Sequence, residues 1–185
     1  MYKLIIITIY TIIFYFLCYK ITSKTINMTT ETINMFKTDF YTSMYFIVVF
    51  ICLLISIVHY LFYTNYWLIN IFDIFPVLLL IISGLIEYNA IYNLKENYYP
   101  QIGPEKRIVK TGVYRIIRHP IYLCAILLSS GIILLLSKNI YFYLIIPVII
   151  AVVIKVEHED NYLLKKHKSY KKYKNKTYKL IPFIY

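Results

Sequence analysis

Long uninterrupted runs of apolar residues constrain this chain more than any other feature of its sequence. A helix needs about 20 mostly apolar residues to cross the hydrocarbon core of a bilayer. The 185-residue chain has a mean hydropathy of +0.63, and its apolar runs leave no space for a separate soluble domain. The runs that approach the spanning length are residues 4–19, 44–63, 67–90, 120–137 and 140–156. The sequence therefore predicts an all-α, multi-pass membrane protein with about five spanning helices in a single domain, residues 1–185.

The order of the runs divides this domain into two parts. We expect residues 1–90 to form three N-terminal membrane helices, the third kinked at Pro76. In residues 91–185, the short turn at 137–139 predicts a helical hairpin over residues 120–156. The charged sequence from Glu157 onward predicts an interfacial C-terminal helix that ends near Pro182. Its apolar stripe would contain Tyr162, Leu163, Tyr170 and Tyr173.

The positive charge is concentrated in two segments of the chain. Residues 91–119 contain six basic and two acidic side chains, and residues 155–185 contain nine Lys and three acidic side chains. Basic segments next to spanning helices usually face the cytoplasm, which would place both segments there and the N-terminus outside. Lys3 favours the opposite orientation. This pattern of charge indicates membrane lipids as partners, and we expect no nucleic acid partner.

Several common kinds of site have no support in the sequence. Cys18, Cys52 and Cys124 lie in apolar runs without paired spacing, as inert buried thiols do. No HExxH motif or other paired ligand spacing is present, so we expect no metal ion. The sequence also has no GxSxG nucleophile motif and no glycine-rich phosphate loop.

One polar group lies at the predicted start of the fourth helix, at Arg118-His119-Pro120. Pro120 suits the first helical position, because its missing N–H would have no partner there. Free backbone N–H groups at a helix start favour an anion, and Arg118 and His119 would add donors. The alternative is an arginine that extends to the interface beside a capping histidine.

A second polar group, Glu157-His158-Glu159-Asp160, follows the fifth apolar run. Unpaired carboxylates are costly there, so we expect Lys155, Arg115 or Arg118 to pair with them. The alternative is a solvated charged cap. Because the hairpin returns the chain to the side on which it began, the two groups should meet. They would form a polar pocket between the loop of residues 91–119 and the C-terminal segment.

The residues of both groups resemble a known superfamily of membrane enzymes. Its members include isoprenylcysteine carboxyl methyltransferases and phospholipid methyltransferases. The first half of the resemblance is Val109-Lys110-Thr111-Gly112-Val113-Tyr114-Arg115 followed by Arg118-His119-Pro120-Ile121-Tyr122. The second half is Glu159-Asp160, Leu163, Tyr170, Tyr173 and Pro182, in that order. The resemblance covers Gly84 to Tyr185, and departs from the pattern at Asp160, Lys155, Cys124 and Lys166-His167.

This resemblance implies an enzyme that uses S-adenosylmethionine, with residues 91–185 as its methyltransferase core. The cofactor would lie in a cytoplasmic pocket formed by the loop of residues 91–119 and the C-terminal segment. The implied cofactor-binding residues are Tyr114, Arg118, His119, Pro120, Tyr122 and Glu159. Arg118 and Glu159 would be catalytic. Arg118, or alternatively Arg115, would orient an anionic headgroup, and Glu159, or alternatively Glu157, would accept a proton from an amine if burial raises its pKa.

The resemblance also implies a lipophilic acceptor that enters from the bilayer. An isoprenylcysteine-like carboxylate is the first expectation, and a phospholipid amine is the alternative. A membrane reductase that uses NADPH, and a non-catalytic membrane protein that retains the fold, are two further alternatives.

Overall fold

Helices form most of the chain that the structure describes. The computed structural model describes residue 3 and residues 5–13, 40–63, 71–94, 108–137 and 142–184. These ranges contain no β-strand, which confirms the all-α prediction. The helices are α1 (residues 5–13), α2 (Phe40–Tyr63), α3 (Ile74–Leu94), α4 (Pro120–Ser137), α5 (Ile145–Lys166) and α6 (Tyr170–Lys174). Short 3₁₀ helices occupy Ile71–Asp73 and Gly112–Arg115.

Helices α2 and α3 each contain a segment long and apolar enough to cross a membrane. These segments are Met44–Phe62, with a mean hydropathy of 2.6, and Ile74–Leu94, with a mean hydropathy of 2.0. Large apolar side chains on both helices point away from the protein; Phe62 is 77% exposed and Leu85 is 67% exposed. Contact of such apolar surfaces with lipid costs little free energy, whereas their exposure to water is unfavourable. The two helices therefore support a membrane protein.

The five-span topology stays a prediction. Helix α4 has a shorter apolar stretch, Pro120–Leu136. The first apolar run beyond residue 13, which includes Cys18, lies outside the described residues, as does the turn of the predicted hairpin after residue 137.

The start of α3 corrects the prediction for Pro76. The sequence predicts a span over residues 67–90 with Pro76 inside it, but α3 begins at Ile74 and ends at Leu94. Pro76 therefore lies in the first helical turn, where a backbone N–H has no intrahelical acceptor and its loss costs little. Tyr92, which the sequence predicts in the polar loop, belongs to this helix.

Helix α5 corrects the prediction of a separate interfacial helix. It continues without a break through Glu157 to Lys166. The change from apolar to charged residues alters the polarity of the helix, but Glu, Lys and Leu are good helix formers, so the helix does not end. Its buried side chains form one continuous stripe: Val148, Ala151, Val152, Lys155, Val156 and Asp160. A separate short helix, α6, follows the turn at residues 167–169.

Helices α3 and α4 pack closely in opposite directions. A Cβ atom on Gly131 of α4 would lie 2.8 Å from Cδ2 of Leu80 and 3.1 Å from the carbonyl oxygen of Pro76, both in α3. Nearer the start of α4, Ser83 Oγ donates a 3.0 Å hydrogen bond to the carbonyl oxygen of Cys124. The C-terminal end of α3 therefore lies beside the start of α4, where the polar residues are concentrated.

Candidate functional site

A cavity of about 390 Å³ lies where the start of α4 meets the charged end of α5. Its volume falls within the range of about 300–1,000 Å³ that is usual for small-molecule sites. Polar side chains from residues 114–122 and from α5 line one part of it. Apolar side chains from α2 and from positions further along α4 line another part, among them Val49, Leu53, Leu128 and Ile132. The cavity thus joins a polar compartment to an apolar one.

The structure brings all the predicted cofactor-binding residues to this one cavity. Its walls include Tyr114, Arg118, His119, Pro120, Tyr122 and Glu159. The predicted meeting of the two polar groups is therefore present in the structure. The roles of these residues in binding a ligand stay predictions.

A tight turn after α3 positions Tyr114. Gly112 has a φ of +56°, which favours glycine, and a Cβ atom there would lie only 2.1 Å from Nδ2 of Asn93, so a larger residue would displace this amide. The backbone N–H of Val113 donates to Oδ1 of Asn89 at 3.0 Å. The end of α3 therefore holds the turn, and Tyr114 is directed into the cavity wall.

The C-terminal segment, residues 174–180, runs beside the residues that precede α4. The N–H groups of Arg118 and His119 donate to the carbonyl oxygens of Tyr178 and Lys179 at 2.8 and 3.1 Å, and Tyr178 N–H donates to Ile116 at 2.8 Å. The sequence predicts an anion site with free N–H groups at this helix start, but these two are used within the fold. A ligand would instead meet the side chains beside them.

The guanidinium of Arg118 fixes this segment in place. Its Nη1 donates to the carbonyl oxygen of Lys174 at 2.9 Å and to that of Thr177. Its Nε lies 3.5 Å from Oδ1 of Asp160, and the whole residue is buried. The expected ion pair between Arg118 and the acidic group is therefore present, and it connects the start of α4 to α5.

Asp160 is the central acceptor of this buried network. His119 Nε2 lies 3.0 Å from its Oδ1, the Tyr170 hydroxyl donates to the same oxygen, and Lys174 Nζ lies 3.1 Å from Oδ2. Burial acts to raise the pKa of Asp160, but the hydrogen bonds from His119, Tyr170 and Lys174 outweigh it and hold this pKa below its usual range. An ionised Asp160 requires a proton on His119 Nε2, which fixes the tautomer of the imidazole.

The hydroxyl groups of two tyrosines are held in the protonated state. Burial and the nearby Asp160 carboxylate raise the pKa of Tyr170. Burial also raises the pKa of Tyr173, whose hydroxyl donates a 2.6 Å hydrogen bond to the carbonyl oxygen of Tyr114. Both tyrosines line the cavity and connect α6 to its wall.

Glu159 faces the cavity itself. The hydroxyl of Tyr122 in α4 donates to its Oε2 at 2.7 Å, and the Tyr122 ring meets the ring of Tyr45 in α2 edge to face. The adjacent Glu157 has a different environment: it pairs with Lys179, and its side chain is 44% exposed. Successive helical residues point about 100° apart, so the acidic group divides between separate faces of α5.

Three residues of the site are absent from the predicted binding and catalytic residues. The sequence predicts Asp160 only as a member of the acidic group that pairs with a nearby cation, although its place on the buried stripe of α5 marks a larger role. Lys155, which the sequence offers as a partner for the acidic group, is fully buried and lines the cavity. Glu87, a carboxylate inside the apolar run of α3, also lines the cavity. An ionisable residue within a membrane span is a sequence signal for function, and for Glu87 it was available.

These features define a helical membrane protein with a polar pocket at one end of its helices. A family model described as phospholipid methyltransferase matches residues 71–171, which is more than half of the chain. The chain therefore belongs to the phospholipid methyltransferase family of integral membrane methyltransferases, which confirms the resemblance seen in the sequence. A search of curated proteins gives no match.

Proposed function

We propose that the chain transfers a methyl group from S-adenosylmethionine to a lipophilic acceptor that enters from the bilayer. Family membership supports a membrane methyltransferase. The observation that carries the finer proposal is the cavity, in which a polar compartment at the helix ends continues into an apolar compartment between α2 and α4. A charged donor and a lipid-like acceptor need these two environments side by side.

The polar compartment fits the chemistry of S-adenosylmethionine. This compound supplies a methyl group that is already activated on a sulfonium, and it also carries a carboxylate, an ammonium and a flat base. The compartment contains the cation Lys155, the anion Glu159 and the rings of Tyr114 and Tyr122. Residues of both charges and aromatic faces are thus available to the matching parts of the donor. We assign His119, with Tyr122 and Glu159, to its polar end.

The chain's own contribution to methyl transfer is placement. The buried network of Arg118, His119 and Asp160 connects the start of α4 to α5 and to the C-terminal segment, which positions this part of the cavity wall. Aligned approach of the acceptor supplies much of the rate, and the apolar walls exclude water from the reacting atoms. Arg118 is a positioning residue in this scheme, because its guanidinium binds the C-terminal segment.

We further propose that the polar end of the cavity faces the cytoplasm. The exposed lysines at the end of α5 and on α6, namely Lys165, Lys166, Lys171 and Lys172, lie near that end. Anionic lipid attracts such basic surfaces, and basic residues favour the cytoplasmic side. Membrane lipids are therefore the proposed partners of this surface.

The proposal is tested by equilibrium binding of S-adenosylmethionine to the purified full chain in detergent. We expect saturable binding that His119→Ala and Glu159→Ala each weaken by about tenfold, which corresponds to about 1.4 kcal/mol. Glu157→Ala is the matched control, because Glu157 lies on the same helix end but outside the cavity lining. No binding to the wild type, or tighter binding of NADPH, would refute the proposal.

A further inference from the structure

Tyr45 brings an aromatic ring from α2 into the cavity wall. It lies near the start of α2, at the edge of the apolar segment Met44–Phe62. Val49 and Leu53 follow at four-residue spacing, so they share one face of the helix with Tyr45, and all three line the cavity. The family model matches residues 71–171, so α2 lies outside the matched part. Family membership therefore does not specify what Tyr45 does.

The ring of Tyr122 contacts two other rings. The Tyr45 ring lies 6.3 Å from it, centroid to centroid, at an angle of 81°. The His119 ring lies 5.9 Å from it at an angle of 53°. Aromatic rings attract each other in edge-to-face and tilted arrangements at about 4.5–7 Å. Tyr122 in α4 is thus bound through its ring both to α2 and to the residue that precedes α4.

Apolar packing holds this pair of tyrosines in place. Tyr45 and Tyr122 both pack against a buried cluster formed by Val152 and Val156 of α5 and by Leu180 of the C-terminal segment. Packing against a buried cluster restricts the rotamers that a side chain can adopt. The Tyr45 ring therefore presents a fixed surface to the Tyr122 ring.

The orientation of the Tyr122 ring decides where its hydroxyl lies. That hydroxyl donates to Oε2 of Glu159 at 2.7 Å. Because the hydroxyl is at the far end of a rigid ring, a modest rotation of the side chain would break a hydrogen bond of this length. The contact between Tyr45 and Tyr122 is therefore transmitted to the carboxylate of Glu159, which faces the cavity from α5.

We propose that Tyr45 is a positioning residue of the cofactor site, which acts through Tyr122 to orient Glu159 toward S-adenosylmethionine. This inference rests on the proposed function, in which Glu159 binds the polar end of the donor. The loop of residues 91–119 and the C-terminal segment are the predicted walls of the cofactor pocket. Helix α2 is a further wall, and it comes from the N-terminal half of the chain.

The experiment is a double-mutant cycle, measured as equilibrium binding of S-adenosylmethionine to the purified full chain in detergent. Tyr45→Leu removes the ring and retains apolar bulk, whereas Tyr122→Phe retains the ring and removes the hydroxyl that binds Glu159. We expect each change alone to weaken binding by about fivefold. In the Tyr122→Phe background, Tyr45→Leu should weaken binding by less than about twofold, because the hydrogen bond on which it acts is already absent.

Two further variants separate positioning from a general loss of packing. Tyr45→Phe keeps the aromatic ring and should retain the affinity of the wild type. Phe50→Leu removes a ring from the same helix that is 67% exposed and lies outside the cavity lining, and it should leave binding unchanged. Thermal unfolding of each variant in the same detergent shows that the chain is folded.

The outcomes distinguish this inference from the proposed function. Failure of S-adenosylmethionine to bind the wild type refutes the proposed function and the role of Tyr45 with it. Normal binding to the wild type that Tyr45→Leu leaves unchanged refutes only the role of Tyr45. Equal losses from Tyr45→Leu in both backgrounds also overturn this role, because they assign the loss to packing or to direct contact with the donor. An equal loss in Tyr45→Phe overturns it too, because the hydroxyl would then be the cause.

Discussion

Asp160 is the single residue on which most of the buried polar network depends. Its carboxylate, in α5, accepts from His119 just before α4 and from Tyr170 and Lys174 of α6, so it connects three parts of the chain at one point. Removing one member of a buried ionic network leaves its partners without compensation, which costs more than the network contributes as a whole. Asp160 is therefore a better target for testing the architecture than the more exposed Glu157.

We predict that Asp160→Asn lowers the free energy of unfolding by about 2–4 kcal/mol at neutral pH. Asn can still accept one hydrogen bond, but it cannot balance the charge of Arg118 and Lys174. The change is measured by thermal unfolding in detergent, with Glu157→Gln as the control. The control should lose about 1 kcal/mol or less, because its pair with Lys179 is partly exposed.

The same carboxylate predicts how stability depends on pH. The pKa of Asp160 in the folded chain lies below its usual value of about 3.9, so the ionised form is bound more favourably in the folded state. Its contribution is complete above about pH 4 and is lost progressively as the pH falls further. Unfolding of the wild type should therefore become easier below about pH 4, and Asp160→Asn should lack this part of the dependence. Parallel curves for both proteins would contradict the prediction.

At the scale of the elements, α3 and α4 are in close contact, and both helices contribute residues to the cavity lining. Gly131 allows the two helices to approach, since a Cβ atom there would overlap Leu80 and press on the backbone at Pro76. We predict that Gly131→Ala lowers the free energy of unfolding by about 1–3 kcal/mol, measured by thermal unfolding.

Gly84→Ala is the matched control for this contact. A Cβ atom there would lie 3.3 Å from the ring of Tyr10, which is the end of a side chain and can move. Alanine also favours the helix over glycine by about 1 kcal/mol. A loss of stability in Gly84→Ala equal to that in Gly131→Ala would show that close helix contact is not the cause.

The C-terminal segment is the second element that builds the site. Its carbonyl oxygens at Tyr178 and Lys179 accept from the residues before α4, and Thr177 accepts from Arg118. We predict that deleting residues 177–185 abolishes binding of S-adenosylmethionine. Deleting residues 183–185 should leave binding unchanged, because Phe183 and Ile184 are more than three-quarters exposed. Unchanged binding after the longer deletion would refute a role for this segment in the cavity.

At the scale of the whole molecule, the two ends of α3 have different surroundings. The cavity lies at one end, and a separate ion pair lies at the other. Lys3 Nζ lies 2.9 Å from Oδ1 of Asp73, just before α3, and both residues are buried. The cavity and the C-terminal segment lie at the other end of α3. The charge of Lys3 is therefore compensated within the fold, which weakens its influence on orientation.

We predict that the two termini lie on opposite sides of the membrane, with the C-terminus in the cytoplasm. The measurement is protease protection of epitope tags at each terminus in sealed inside-out vesicles, with detergent-opened vesicles as the control. The C-terminal tag should be digested in sealed vesicles and the N-terminal tag only after opening. Digestion of both tags in sealed vesicles would contradict this arrangement.

The sequence by itself determined the apolar helices, the family and the residues from Tyr114 to Tyr122 and at Glu159 that line the cavity. Each depends on local signals, namely runs of apolar residues and closely spaced motifs. Only the tertiary structure decided that Asp160 is a shared acceptor, that the C-terminal segment occupies the N–H groups before α4, and that Glu87 faces the cavity. These features join residues far apart in the chain, and the packing of the helices, which local pattern does not specify, brings them together.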